Sequence, residues 1–252
     1  MIHLTVLTGA SRGLGAAMAY QLIQPDALLV CISRGANENL TQRAATVAFS
    51  RLEQWQMDLT QNTAVAQQLR DWLALQDNAQ IASATLINNA AMIPDVVPLG
   101  AVPAQQLERA LRVGLEAPMQ LTSAFLAATA GWSCSRKILN ISSGLGRNAM
   151  ASQAAYCATK AGMDHFSRCV ALEEAQHSHG AKICSLAPGV IDTEMQLQLR
   201  STSAANFADV ARFQALHAQG QLARPEDTAQ KILAYLGRSD FGADTIADIR
   251  SI

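Results

Sequence analysis

The chain has 252 residues, a formal net charge of −1, 50% hydrophobic residues and only 15% charged residues. This composition excludes an intrinsically disordered protein, because it supplies enough apolar surface to fill the core of an α/β domain. It also argues against a nucleic-acid-binding protein, since the sequence contains no basic run. The five cysteines include no Cys-x-x-Cys pair, which indicates reduced thiols rather than a disulfide scaffold or a zinc site.

Strand and helix signals alternate along the sequence. Apolar, β-type runs predict strands at 2–8, 27–33, 52–57, 84–88, 137–142, 181–186 and 244–249. Segments rich in Ala, Leu and Gln predict helices at 13–24, 38–48, 61–76, 104–130, 153–178 and 226–237. This alternation predicts an α/β fold with a Rossmann-like, doubly wound parallel sheet of about seven strands and helices on both faces. We predict a single domain over 1–252, with a substrate lid at 192–224.

The sequence also gives an expectation for localisation. The first predicted strand starts at residue 2, which leaves no room for a signal peptide. No apolar stretch approaches the roughly 20 residues that are needed to span a bilayer. We therefore expect a cytoplasmic protein that binds neither membranes nor nucleic acids.

A glycine-rich turn follows the first predicted strand, where residues 8–15 read Thr-Gly-Ala-Ser-Arg-Gly-Leu-Gly. Gly9 permits a tight turn, Gly13 lets the backbone approach a pyrophosphate, and Gly15 lets helix and strand pack closely. The helix that begins here offers free N–H groups and a positive dipole end to phosphates. The segment is interpreted as a dinucleotide-binding loop, with a plain turn as the alternative.

Tyr156 and Lys160 are the next candidates for chemistry. They are four residues apart on a predicted helix and therefore share one face. A phenol has an unperturbed pKa of about 10, and we expect the nearby ammonium to lower the pKa of Tyr156. Tyr156 is the candidate proton donor, and Ser143 can donate a hydrogen bond to the same substrate oxygen. The alternative is a coincidental surface pair.

Five segments occur in the order of the short-chain dehydrogenase/reductase family, which the chain resembles over almost its whole length. They are the glycine-rich turn, Asn88-Asn89-Ala90, Asn140-Ile141-Ser142-Ser143, Tyr156-x-x-x-Lys160 and Pro188-Gly189, and Ser143 lies thirteen residues before Tyr156, as the family motif requires. The stretch from Pro188 to Gln196 is most similar to the sepiapterin reductase and benzil reductase branch. The resemblance implies an NADPH-dependent carbonyl reductase that acts on a small ketone or diketone and forms a homodimer or homotetramer.

The choice of cofactor depends on the end of the second predicted strand. That end carries Ser33 and Arg34 but no acidic residue of the kind that binds the ribose 2′-hydroxyl of NAD. Arg34 and Arg12 can together clamp a 2′-phosphate, which predicts NADP(H). The alternative is that both are ordinary surface arginines. Asp58 resembles the family residue that contacts the adenine amine, or it lies in the N-cap region of the next helix.

The predicted cofactor-binding residues come from the ends of several strands. They are Gly9, Ser11, Arg12, Gly13, Leu14, Gly15, Ser33, Arg34, Asp58, Leu59, Asn89, Ala90, Ala91, Tyr156, Lys160, Pro188, Gly189, Val190, Ile191 and Thr193.

One position departs from the family pattern. The family places Asn in the fourth helix, where this sequence reads Val113-Gly114-Leu115. Because Pro118 has no N–H, the carbonyl of Gly114 loses its helical partner, and the resemblance implies that such a carbonyl can bind the water that leads to Lys160. The catalytic candidates are therefore Ser143, Tyr156, Lys160 and Gly114. The alternative is that Gly114 and Pro118 only kink the helix.

Substrate recognition gives weaker signals. The predicted substrate-binding residues are Ser143, Leu145, Met150, Glu194 and Met195, with Leu199, Phe207 and Phe213 as further apolar candidates. Such apolar residues are more often simply packing. Glu194 can grip a guanidine-like edge by paired hydrogen bonds, or it is a first-turn acid favoured by the helix dipole. No metal site is predicted. A 3-oxoacyl-thioester reductase and a cofactor-binding sensor with little turnover are the competing functions.

Overall fold

The computed structural model describes all 252 residues. Its strands are β1 (Ile2–Thr8), β2 (Ala27–Ser33), β3 (Arg51–Gln56), β4 (Ile81–Asn88), β5 (Ser135–Ile141), β6 (Lys182–Ala187) and β7 (Ile246–Asp248). All are parallel, in the order β3-β2-β1-β4-β5-β6-β7. The order reverses beside β1, which pairs with β2 on one side and β4 on the other. The predicted doubly wound sheet is therefore confirmed.

Nine α-helices connect or flank the strands. They are α1 (Gly13–Leu22), α2 (Glu38–Thr46), α3 (Asn62–Ala74), α4 (Ala104–Leu111), α5 (Ala117–Thr129), α6 (Ala154–Glu174), α7 (Glu194–Arg200), α8 (Val210–Ala218) and α9 (Pro225–Gly237). None of them has the length and apolar character that a membrane-spanning helix requires.

The predicted helix at 104–130 is interrupted. A π-helical turn at Arg112–Glu116 separates α4 from α5, and the N–H of Ala117 bonds to the carbonyl of Arg112, five residues earlier. Pro118 follows in the first turn of α5, where it donates no hydrogen bond to the preceding turn. The predicted helix is therefore correct at 104–111 and 117–129, and it departs from α-helical geometry at a turn that contains Gly114, one of the two residues that the sequence had marked for a kink.

Both faces of the sheet are packed with apolar side chains. On β2, Leu28, Val30 and Ile32 belong to one core cluster, whereas Leu29 and Cys31 belong to the other. Helices α3 and α5 supply residues to the first cluster, and α1 and α9 supply residues to the second. A strand buried on both faces needs no polar alternation, which explains why β2 is an almost continuous apolar run in the sequence.

The segment predicted as a lid contains α7 and α8. Phe207 and Phe213 pack with Tyr156 in a third apolar cluster. The side chain of Gln196 donates to the carbonyl of Phe213 at 3.2 Å, which ties the two helices together. The segment therefore covers the carboxyl ends of the strands beside Tyr156.

Candidate active site

A cavity of about 880 Å³ opens at the carboxyl ends of the strands. Gly9 lines it after β1, Ser33 at the end of β2, Asn89 after β4, Ser143 after β5 and Pro188 after β6. Ligands of open α/β sheets bind at this edge, where the strand order reverses. Every residue predicted for cofactor, substrate or catalysis lines this cavity except Gly114. Among the further apolar candidates, Leu199 and Phe213 line it as well, whereas Phe207 is fully buried beneath.

Asn89 holds the glycine-rich loop in place. Its Nδ2 donates to the carbonyls of Thr8 and Gly9 at 3.0 and 3.3 Å. In return, the N–H groups of Asn89 and Ala90 both donate to Thr8 Oγ1 at 3.0 Å. Asn89 thus has a structural role in addition to its place on the cavity wall.

The loop has the backbone geometry of a phosphate cradle. A Cβ on Gly15 would lie 2.0 Å from the Gly9 carbonyl oxygen, so only glycine fits there. Gly13 has a φ of +54°, in the left-handed region that favours glycine. Helix α1 begins without a side-chain cap, so its first N–H groups remain available to a phosphate.

The end of β2 fits an adenosine ribose or its phosphate. The Oγ of Ser33 is buried without a hydrogen-bond partner, which a polar ligand atom would satisfy. Arg34 and Arg12 line the same cavity, as the 2′-phosphate interpretation requires. These residues therefore fit a nicotinamide dinucleotide.

Asn37, which the sequence analysis missed, links the two arginine-bearing loops. Its Nδ2 donates to the carbonyl of Ser11 at 3.0 Å, and its backbone N–H donates to Gln54 Oε1 at 2.7 Å. Gln54 Nε2 donates back to the Asn37 carbonyl at 3.1 Å. The loop of Arg34 is therefore fastened directly to the loop of Arg12 and, separately, to β3.

Asp58 serves as a capping residue that also lines the cavity. Its Oδ1 accepts the N–H of Thr60 at 2.9 Å. That hydrogen bond lowers the pKa of Asp58, and the nearby charges of Arg109 and Arg34 lower it further. The capping alternative raised from the sequence is thus correct. Arg109, a cavity residue on α4, was not predicted, because no motif connects it with Asp58.

Arg12 forms an ion pair with Glu194 across the mouth of the cavity. The pair joins the glycine-rich loop to the first turn of α7, where Glu194 lies. Both side chains are mostly exposed, at 63% and 65%, so the pair contributes little to stability. The first-turn position fits the dipole alternative for Glu194, and its predicted contact with substrate stays a prediction.

Tyr156 and Lys160 lie on one face of α6, against the end of β5. Lys160 is 1% exposed, and its Nζ donates to the Ile141 carbonyl at 2.8 Å. The same Nζ lies 5.6 Å from the centroid of the Tyr156 ring. The catalytic candidates Ser143, Tyr156 and Lys160 are therefore brought together at one end of the cavity.

The expected lowering of the Tyr156 pKa was wrong for this arrangement. Burial raises the pKa of Tyr156 to about 12, and a hydrogen bond with Ser143 offsets only part of that effect. Burial also lowers the pKa of Lys160 to about 8, against an opposing contribution from Asp164. Loss of solvation is the largest effect on both groups, so Tyr156 is protonated near neutral pH.

Gly114 lies behind the catalytic helix rather than in the cavity. A Cβ on Gly114 would lie 3.1 Å from Cβ, Cγ2 and Oγ1 of Thr159, the residue directly before Lys160. Glycine thus allows the π-helical turn to approach α6 closely. The role of its carbonyl in a proton relay stays a prediction.

Residues 3–204 match the family model described as short chain dehydrogenase. The chain belongs to the short-chain dehydrogenase family. It is 35% identical to a benzil reductase ((S)-benzoin forming) from Bacillus cereus, over 94% of both chains. It is 29% identical to the sepiapterin reductase of Rattus norvegicus, over 98% of this chain and 96% of that protein.

A solved structure shares the same fold. It is a putative 2-deoxy-d-gluconate 3-dehydrogenase from Agrobacterium tumefaciens with bound NADP, which superposes with a TM-score of 0.78 at 25% identity, covering 98% of this chain and 94% of that chain. These similarities confirm the predicted family, branch and fold. This short-chain dehydrogenase is an oxidoreductase that acts on a carbonyl or hydroxyl group of a small molecule and binds NAD(H) or NADP(H).

Proposed function

We propose that the protein is an NADPH-dependent carbonyl reductase that acts on a small ketone or diketone. The observation that carries this proposal is the convergence of Ser143, Tyr156 and Lys160 at one end of a cavity whose other end contains Ser33 and Arg34. The first group fits a reacting carbonyl, and the second fits a phosphorylated ribose.

The proposed chemistry assigns one task to each catalytic side chain. The nicotinamide cofactor supplies the hydride when it is bound. The hydroxyl of Ser143 donates a hydrogen bond to the substrate oxygen, where negative charge develops. Tyr156, which is protonated because burial raises its pKa to about 12, transfers its proton to that oxygen. Lys160 stabilises the resulting phenolate and holds the ribose while its own amine is protonated.

The lining of the cavity supports an apolar substrate. Leu145, Met150 and Met195 surround the region next to Tyr156, and Leu199 and Phe213 extend it toward α7 and α8. An aromatic diketone would bury its rings against these side chains. The similarity to proteins named benzil reductase and sepiapterin reductase supports the same substrate class.

The positive charges near β2 support NADP(H) over NAD(H). Arg34, Arg12 and Arg109 line the cavity, and Asn37 fastens the first two loops together. Guanidinium groups bind phosphate by paired, charge-assisted hydrogen bonds. The ion pair between Arg12 and Glu194 does not prevent this binding, because an exposed pair costs little to rearrange.

We also propose that the chain forms a homo-oligomer. Large apolar side chains are exposed on three neighbouring helices, with Leu111 on α4, Met119 on α5 and Leu172 on α6. A second copy that covers them would remove apolar surface from water. Sedimentation equilibrium tests this, and a monomer at micromolar concentration contradicts it.

The proposed function is tested by NADPH consumption with aromatic diketones, pterins and 3-oxoacyl thioesters, each repeated with NADH. We expect the highest kcat/KM with a diketone or pterin, and NADPH affinity at least about tenfold above NADH affinity, a difference of about 1.4 kcal/mol. Turnover confined to acyl thioesters would contradict the substrate class. Tight NADPH binding without any turnover would favour a sensor.

A further inference from the structure

Three consecutive residues at the end of β5 contact three successive turns of α6. The carbonyl of Ile141 accepts a hydrogen bond from Lys160 at 2.8 Å, and the hydroxyl of Ser142 donates to Asp164 at 2.6 Å. Ser143 lies near enough to Tyr156 to lower the pKa of its phenol. Because Tyr156, Lys160 and Asp164 are spaced by four residues, they share one helix face. Asp164 is the member of this face for which the proposed chemistry has no task.

Asp164 is a buried carboxylate with partners on several elements. It is 2% exposed. Its Oδ1 accepts hydroxyl hydrogen bonds from Ser142, directly after β5, at 2.6 Å and from Ser185 on β6 at 2.7 Å. Its Oδ2 accepts a hydrogen bond from Arg147 Nε at 3.2 Å. Three side-chain donors thus satisfy the oxygens of this buried carboxylate.

The turn after Ser143 is packed directly on the same part of α6. A Cβ on Gly146 would lie 3.0 Å from Asp164 Oδ2 and 3.0 Å from the Lys160 carbonyl oxygen. Arg147, the next residue, also donates to the carbonyl of Ala247 in β7 at 3.0 Å. The turn that follows Ser143 is thus held to α6 through Asp164 and to β7 through Ala247.

We propose that Asp164 is a positioning residue for the reaction, which fixes Ser142 and hence Ser143 against α6 and stabilises the buried ammonium of Lys160 by its negative charge. The inference rests on the proposed roles of Ser143 and Lys160 in carbonyl reduction, and it adds an electrostatic partner behind them. Asp164 touches neither the cavity nor a reacting atom.

Lys160 has no other anion beside it. Its single hydrogen bond is to a neutral carbonyl, and Asp164 is the one charge that raises its pKa against the effect of burial. Tyr156 on the same helix and Cys184 on β6 have pKa values of about 12 and about 11, so both are neutral near pH 8. The carboxylate of Asp164 therefore supplies the negative charge at this site.

The remaining charged groups near this site interact with Asp164, Cys184 or β7. Arg147 is bonded to Asp164, and its charge also lowers the pKa of Asp248 on β7, whose main partner is Arg250. The charge of Asp244, which lies before β7, raises the pKa of Cys184. None of them is among the causes of the shift in the Lys160 pKa, which are burial and Asp164.

The decisive variant is Asp164→Asn, which keeps the side-chain shape and an acceptor for the two serine hydroxyls but removes the charge. Without that charge Lys160 loses its proton at lower pH. We expect the alkaline limb of kcat/KM for diketone reduction to move to lower pH by about one unit, the usual effect of one adjacent opposite charge. The pH dependence of NADPH affinity, read by fluorescence titration, should shift in the same direction.

Ser185→Ala is the matched control, because it removes one hydrogen bond from Asp164 and leaves its charge. We expect a lower kcat at most, with the alkaline limb at its original pH or slightly above it, and never the shift to lower pH that Asp164→Asn produces. If Asp164 had only a structural role, both variants would lower kcat and neither would move the limb in either measurement. That result would overturn the proposal.

A double variant keeps the test decisive if Asp164→Asn does not fold. Ser142→Ala with Ser185→Ala removes both hydroxyl donors from Oδ1, so the carboxylate charge is less compensated and should move the limb to higher pH. An unchanged limb would contradict the inference. The affinity measurement also separates the two proposals, since a protein that binds NADPH but reduces no ketone refutes the proposed function alone.

Discussion

The contact between Gly114 and Thr159 gives a quantitative test of how the π-helical turn meets the catalytic helix. Gly114→Ala would place a Cβ at 3.1 Å from three atoms of the Thr159 side chain, which is 1% exposed and whose hydroxyl donates to the Tyr156 carbonyl at 2.8 Å. The side chain of Thr159 therefore cannot move freely away from a new Cβ at position 114. We expect Gly114→Ala to be destabilising, although alanine is the better helix former.

The magnitude follows from two opposing effects. Replacing glycine by alanine inside a helix stabilises by about 1 kcal/mol, whereas overpacking a buried site costs about 1–3 kcal/mol. The net effect in the unmodified protein is a loss of up to about 2 kcal/mol. With Thr159→Gly the overpacking is removed, and Gly114→Ala should then stabilise by up to about 1 kcal/mol.

The assay is a double-mutant cycle measured by urea unfolding. We expect a coupling energy of about 1–3 kcal/mol between positions 114 and 159. Gly237→Ala is the control, because its Cβ would meet no atom within 4 Å, and it should be additive with Thr159→Gly. Additivity of Gly114→Ala with Thr159→Gly to within about 0.5 kcal/mol would refute the close contact.

Three other substitutions test separate parts of the site. Pro118→Ala restores an N–H that can bond to the Gly114 carbonyl. The free energy of unfolding should therefore rise, by at most about 3 kcal/mol, while kcat falls. A more stable and fully active variant would show that Pro118 has only a structural role. Arg34→Ala should weaken NADPH binding by roughly tenfold or more in fluorescence titrations and leave NADH binding nearly unchanged, and equal losses would contradict the 2′-phosphate assignment. Glu194→Gln breaks an exposed ion pair with Arg12, so thermal unfolding should detect a loss below about 1 kcal/mol, and a larger loss would mean that the pair anchors α7.

The sheet could be predicted well from the sequence because strands that are buried on both faces consist mainly of apolar residues. The bounds of β1 and β2 agree with the prediction at both ends. The edge strand β3 was placed within a residue, although its sequence is mostly polar. Gly114 and Pro118 marked a possible kink in the helix, but the π-helical turn at 112–116 was not predicted, because the close approach of Gly114 to Thr159 is a tertiary contact.

The candidate site was predicted where motifs carry it and missed where only tertiary packing does. Spacing within the chain marked Ser143, Tyr156 and Lys160 as a group. Nothing in the sequence connects Asp164 with Ser142 and Ser185. The three residues come from three different parts of the chain, and only the fold brings them together. The raised pKa of Tyr156 depends on burial that periodicity alone does not measure.

The most direct test of the central claim is the rate of NADPH oxidation by an aromatic diketone with Tyr156→Phe. The substitution removes the proton donor but little volume, so NADPH affinity and thermal stability should stay close to those of the unmodified protein. General acid catalysis increases a rate by about 10²–10⁴-fold. We therefore expect kcat to fall by at least about 10²-fold. A variant that binds NADPH and reduces the diketone at a near-normal rate would contradict the assignment of Tyr156 as the proton donor.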